Sequence, residues 1–266
     1  MPFIYENYSC CGAGEEEVGG IMLWILPAER PAMPAPPANS PGIRERETAP
    51  KNGAERRRAG RPAAAVLDLA GITAAALRLI SENGYDGLTM AALARSLHVA
   101  PSALYNHVES KRDVLLLVED HLTALVDVTA FAAEPWESAV RKWAWSYRDV
   151  FAEHTPLIPV IAVLPVTDAP RTLAMYETVS AGFRAAGFPE ERIVSAIVAL
   201  ESFIFGSAYD VTAPADIFDS GSMAESTPSF TGAVRSLAAQ GHGKPADVAF
   251  SLGLEALIGG FGALRE

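Results

Sequence analysis

The sequence predicts an all-α protein, a small three-helix head carrying a helix-turn-helix joined to a larger helical body. Three observations predict it. From Asp68 onward apolar residues recur at helical spacing: Ile72, Ala75, Ala76 and Leu79, then Met90, Leu93, Ala94 and Leu97, each set at i, i+3, i+4 and i+7. Capping residues or Pro stand where these periods begin, and Gly, Pro or polar breaks stand where they end. No stretch alternates with period two between turn signals, as a half-buried strand does.

Residues 68–83 form the first expected helix, stopped by Gly84. "YDGLT" reads as a turn, and Thr89 is a good N-cap for a second short helix over residues 90–97. "HVA" breaks that run. A third helix starts at Pro101, which a first helical turn tolerates, and ends near His107. Ser110 then caps a long helix expected from Lys111 to about Ala130. Beyond Pro135, segments 136–153, 157–164, 170–186, 190–211, 228–240 and 245–264 all read as helix. The expected domains are a head over residues 67–115 and a larger helical body over residues 116–266.

Residues 1–54 join an acidic triplet, a short apolar patch and the Pro-rich "PAERPAMPAPPANSPG", with no period. They are expected to be a disordered extension. Residues 55–66 form a basic arm with Arg56, Arg57, Arg58 and Arg61. Such a run is either a solvated tail or an arm for an adjacent minor groove. The only cysteines, Cys10 and Cys11, are adjacent, so no disulfide framework follows and a reducing compartment is expected. Without a second Cys pair or nearby His they read as incidental rather than metal-binding. The apolar run at residues 21–27 is far short of the ~20 residues a spanning helix needs. A cytoplasmic protein without a membrane partner is the expectation.

The net charge is −11. It is unevenly spread: residues 56–125 carry eight basic and seven acidic side chains, while both flanks are acidic. Local charge sets affinity for phosphate, so the total does not exclude nucleic acid.

The stretch from Arg95 to Lys111 reads "RSLHVAPSALYNHVESK". Two short helices joined by a tight turn over a third form a helix-turn-helix, whose second helix enters a major groove. On the helix from Pro101, Leu104 and Val108 face the core, with Val99 just before them. Ser102, Ala103, Tyr105, Asn106 and His107 are left pointing outward. Tyr, His and Lys donate to phosphate oxygens, and Lys111 adds free backbone N–H groups at a helix start. Small Ser102 and Ala103 allow close approach to base edges. The alternative for Tyr105 is half-burial against Leu122.

The run "GITAAALRLISENGYDGLTMAALARSLHVAPSALYNHVESKRDVLLLV" resembles the DNA-binding head of the tetracycline-repressor family of bacterial transcription regulators, most specifically in "LYNHVESK". "AAGFPEERIVSAIVALESFIFG" and "FSLGLEALIGGFGAL" resemble the regulatory domain of the same family more loosely. The resemblance covers residues 60–266. It implies a homodimer, a palindromic double-stranded DNA operator and a small-molecule inducer. It also implies phosphate contacts from Thr89, Tyr105, His107 and Lys111, and base-facing positions at Ser102, Ala103 and Asn106. Arg95, Ala100 and Pro101 complete the candidate DNA-binding set. Two positions depart from the family pattern. His98 stands at the usual turn Gly and has to take φ > 0, which His tolerates better than most residues. Ala100 stands where a polar cap is usual.

In the body, a ligand pocket needs a few polar groups among apolar walls. Tyr147, His154 and Glu201 are the polar candidates, and Trp143, Met175, Phe183 and Phe203 the apolar ones, all of which also fit an ordinary core. The last two long helices carry small residues that let backbones approach. Gly206, Gly253, Leu254, Leu257 and Phe261 are therefore the candidate dimer interface, with packing inside one chain as the alternative. No paired carboxylates, nucleophile–base set, metal spacing or phosphate loop supports an enzyme, and no cofactor is expected. A constitutive architectural DNA-binding protein is the other rival.

Overall fold

The computed structural model describes residues 67–214, 216–240 and 243–265. The expected extension, and the arm with Arg56, Arg57, Arg58 and Arg61, lie outside the described residues. Ten α-helices follow one another: α1 Leu69–Gly87, α2 Met90–Ser96, α3 Pro101–Leu104, α4 Lys111–Thr123, α5 Trp136–Ala152, α6 Ile158–Ile161, α7 Pro170–Ala185, α8 Glu190–Asp210, α9 Pro228–Gln240 and α10 Pro245–Gly262. No strand occurs among the described residues.

The head is set by its caps. Asp68 Oδ1 accepts from the Gly71 N–H at 2.8 Å, and Thr89 Oγ1 accepts from the Ala92 N–H at 3.0 Å. Ser110 and Asp113 form a reciprocal capping box at the start of α4. Gly84 takes φ 70° inside α1, so the regular helix breaks after Asn83 and only one further turn follows. That left-handed conformation favours a residue without Cβ. Ile72, Ala76, Leu88, Leu93, Leu104, Val114 and Val118 close a core between α1, α2, α3 and α4. Fully burying each large aliphatic chain there contributes roughly 1.5–3 kcal/mol.

Helix α4 ends at Thr123, not near Ala130. The Asp127 side chain accepts from both the backbone N–H and the hydroxyl of Thr129, at 2.8 and 2.7 Å. Such a local turn offers the backbone an alternative to the helix. A 3-10 turn over Thr129–Ala132 follows.

In the body, α5 packs along α8, α7 lies against α4 and α8, and α10 closes over α5 and α8. Trp143, Phe151, Leu200, Ile204, Phe250 and Leu254 are fully or nearly fully buried. Helix α8 alone among the described helices is long and apolar enough to cross a membrane. Its Ile193, Ile197, Leu200 and Ile204 face the chain's own core. Helix α4 joins the two parts, packing on α1 above and on α7 below.

Candidate DNA-binding face and buried polar core

The turn between α2 and α3 is built as the family pattern implies. His98 takes φ 56°, the left-handed value expected of the residue in the usual Gly position. Ala100 is the N-cap of α3 and makes no side-chain cap, with Pro101 at the first helical position. Helix α3 proper is four residues long, and tight turns carry the chain on to Val108. Leu104 and Val108 are buried, whereas Ser102, Asn106 and His107 are exposed and Ala103 is half-buried. Tyr105 stands 50% exposed, which leaves half of its side chain free for a partner. Thr89 and Arg95 are exposed on the same short helix. The Thr89 hydroxyl accepts at its own helix start and keeps its proton free to donate.

Lys111 is more constrained than the sequence suggests. Its Nζ donates to the Tyr85 carbonyl at 3.2 Å and lies 3.7 Å from the centre of the Tyr85 ring. An ammonium has three donors, so two remain after that bond. Arg112, exposed beside it, forms no ion pair among the described residues.

The candidate ligand residues separate into distinct places. Tyr147, Glu201 and Trp143 come together. The Tyr147 hydroxyl donates to Glu201 Oε1 at 3.1 Å, and the Trp143 ring lies edge-on to Tyr147 at 5.6 Å. Two residues unmarked in the sequence join them. The Tyr176 hydroxyl donates to the same Glu201 oxygen at 2.7 Å. Glu119 is 4% exposed, and its Oε2 has no hydrogen-bond partner among the described residues. Burial, then Asp120, then Glu201 push the Glu119 carboxyl up to about 7. Burial also raises Glu201, against the two tyrosine hydrogen bonds that lower it. The signal for Glu119 was present, since it lies between Leu115 and Leu122 on the apolar stripe of α4.

The other candidates lie elsewhere. Phe183 packs against Trp136 and Phe188 at ring distances of 5.1 and 4.8 Å, as ordinary core. Met175 is buried on α7. Phe203 stacks on Phe250 at 5.3 Å, between α8 and α10. His154 follows the end of α5 and lines a surface cavity of about 410 Å³ with Leu125, Asp127, Ser146, Asp149, Val150 and Glu153. Its imidazole is held below the usual value, chiefly by burial.

Of the expected interface residues, Gly253 and Leu254 are taken up inside the chain. Leu254 is 0% exposed within the protomer, and a Cβ on Gly253 would lie 2.5 Å from the Phe203 ring. Leu257 and Phe261 pack, partly buried, on the same internal core. This face of α10 is used inside the chain because α8 and α5 already occupy it. Gly206 differs: nothing among the described residues lies within 4 Å of where its Cβ would be.

A helix-turn-helix head with an outward polar face, fused through one helix to a body with a buried polar cluster, defines a DNA-binding transcriptional regulator. Residues 72–118 match the family described as bacterial regulatory proteins, tetR family, and residues 132–265 match the tetracyclin repressor-like C-terminal domain. The chain belongs to the tetR family. It is 31% identical over 208 residues to the class G tetracycline repressor protein of Vibrio anguillarum, covering 75% of this chain and 95% of that one. It is 29% identical over 136 residues to an HTH-type transcriptional regulator of Saccharopolyspora erythraea, covering 51% of this chain and 57% of that protein. This second match therefore spans little more than half of that regulator's length. The crystal structure of ActR from Streptomyces coelicolor in complex with actinorhodin is similar at a TM-score of 0.62 and 27% identity, covering 76% of this chain and 98% of that one.

Proposed function

We propose that the protein is a homodimeric cytoplasmic repressor that binds a palindromic operator through α2 and α3 and is released by a small molecule held in its body. The observation that carries this reading is the course of α4. It begins at Lys111 beside the exposed face of Tyr105, Asn106 and His107, and it ends in the body beyond the buried Glu119. Asp120, the next residue, accepts from the backbone N–H groups of Arg171 at 2.7 Å and Thr172 at 3.1 Å, tying α4 to the start of α7. A ligand that fits better when α4 and α7 are apart shifts the heads and weakens DNA binding only through that preference. The complex of ActR with actinorhodin supports a small molecule in this role.

The dimer reading rests on apolar side chains left uncovered. Val194 is 68% exposed on α8 and Leu252 is 74% exposed on α10. Val198 and Tyr209 continue the first stripe, and Ala256, Gly259 and Gly260 continue the second. Two such pairs of helices make a four-helix bundle across a two-fold axis. The recognition helices of that dimer would read half-sites about 34–36 Å apart. The boundary between head and body falls near residue 115 in this reading. The basic arm through Arg61 would follow the neighbouring minor groove.

The experiment is a footprint of the protein on DNA flanking its own coding region, with sedimentation of the same sample. A protected palindrome bound by a dimer is expected. Equal affinity for every sequence would replace the repressor with an architectural protein.

A further inference from the structure

The side-chain cluster between α4, α5, α7 and α8 is short of a positive charge. Glu119 and Glu201 are both buried, and neither makes an ion pair among the described residues. Glu201 is partly answered by the two tyrosine hydroxyls on its Oε1. Glu119 Oε2 is answered by nothing among the described residues. A buried carboxylate without a cation is costly, and a core selected only for stability replaces it with an apolar residue or pairs it.

A second observation is independent of the carboxylates. Trp143 is fully buried, and its indole N–H has no acceptor among the described residues. Its ring lies against Tyr147, the residue that donates to Glu201. Tyr147 is itself flanked by Phe151 and Phe205 at 5.1 and 5.5 Å between ring centres. Aromatic faces attract cations, more strongly when water is excluded. The cluster thus combines two buried carboxyl groups, aromatic walls and one unmet N–H donor, which a ligand's body answers with an acceptor and not with its charge. A metal ion fits poorly. Calcium takes six to eight oxygens, and no three His, Cys, Asp or Glu side chains gather as a ligand set among the described residues.

We infer that the small molecule governing this regulator is an organic monocation with an aromatic body, its charge set against Glu119 and Glu201 and its body against Trp143, Tyr147 and Tyr176. This rests on the repressor reading above and adds the ligand's charge class to it. Entry of such a body parts α7, which carries Tyr176, from α4, which carries Glu119 and leads to the head.

The test is calorimetric titration of the full-length protein with two probes of similar bulk, tetraphenylphosphonium and neutral triphenylphosphine oxide. The cation is expected to bind at least ten-fold more tightly. Glu119→Gln, isosteric and uncharged, is expected to lose at least ten-fold in cation affinity and nothing in affinity for the neutral probe. The same variant's thermal melt establishes that it is folded. Glu201→Gln supplies a second variant with the same expected loss. Equal affinity for the two probes, no cation binding, or unchanged cation affinity in both variants overturns the inference. Operator release is read separately in a mobility-shift assay. Release by neutral or anionic compounds alone sinks the cation and leaves the repressor. Charge-selective cation binding by a protein with no preferred DNA sequence keeps the cation site and sinks the repressor.

Discussion

The ammonium of Lys111 donates a hydrogen bond to the carbonyl of Tyr85, 3.2 Å away, and rests over the ring of the same residue. The relationship ties the first turn of α4 to the end of α1, directly behind the recognition face. Lys111 therefore has a structural role whether or not it meets phosphate. Lys111→Ala is expected to lower stability by about 1–2 kcal/mol, the sum of one modest hydrogen bond and one partly exposed cation–π contact. It is also expected to reduce the magnitude of the log–log salt slope of DNA binding by about 1 per half-site. Denaturant melts and salt titrations on the same variant separate the two. A lowered melt with an unchanged slope would remove Lys111 from the phosphate contacts.

Tyr105 offers the opposite case, because its side chain is half in solvent and its hydroxyl makes no hydrogen bond among the described residues. Tyr105→Phe should leave the thermal midpoint within about a degree. It should weaken operator and random DNA alike by roughly 1–3 kcal/mol, the worth of a hydrogen bond to a charged oxygen. A loss confined to operator DNA would mean that Tyr105 reads a base.

The Glu119 carboxyl, pushed up to about 7 by burial and then by Asp120 and Glu201, makes stability depend on pH. Its folded value lies above its unfolded one, so the folded chain binds the extra proton between about pH 4.5 and pH 7. Stability from this group is complete below that window and is lost as pH rises through it. The groups around it are Asp120 on its own helix, Glu201 on α8, Tyr147 on α5 and Tyr176 on α7. Both phenols are raised further into the alkaline range and stay neutral throughout. Wild-type protein should lose roughly 1–3 kcal/mol more than Glu119→Gln between pH 5 and pH 8. Urea melts at four pH values check this, and parallel pH profiles for the two proteins would contradict it.

Two leucines on α10, two residues apart, should behave in opposite ways. Leu252 is the exposed one and Leu254 the buried one. Leu252→Asp is expected to yield a folded monomer with weakened operator binding, since one head reads half a palindrome. Leu254→Ala should cost about 2–5 kcal/mol through the cavity it leaves, with the dimer retained while the protein is folded. Sedimentation and melting of both variants decide it. A dimeric Leu252→Asp that binds operator normally would show that this face is not the interface.

Much of the head was legible in the sequence because its determinants are local. Thr89 and Ser110 cap the helices they precede, and each bond spans three residues. The outward set at Ser102, Tyr105, Asn106 and His107 follows from the burial of Leu104 and Val108 on the same short turn. The left-handed turn at His98 was legible only through the family pattern, because His carries no general requirement for φ > 0.

What the sequence by itself determined is where the head helices begin, the inward stripe of each and the polar face that remains. Tertiary structure alone decided the rest. Helix α10 is apolar nearly all round, so its periodicity does not say which face is inner; contact with Phe203 and α5 puts Gly253 and Leu254 inside and leaves Leu252 outside. A helix hydrophobic on every side carries no directional signal of its own. The same holds for the cluster of Glu119, Tyr147, Tyr176 and Glu201. These residues come from four helices, and hydrogen bonds over 25 and 54 residues hold Tyr176 and Tyr147 to Glu201. No spacing rule spans such distances, because they are set by how the helices pack and not by the turn of any one of them.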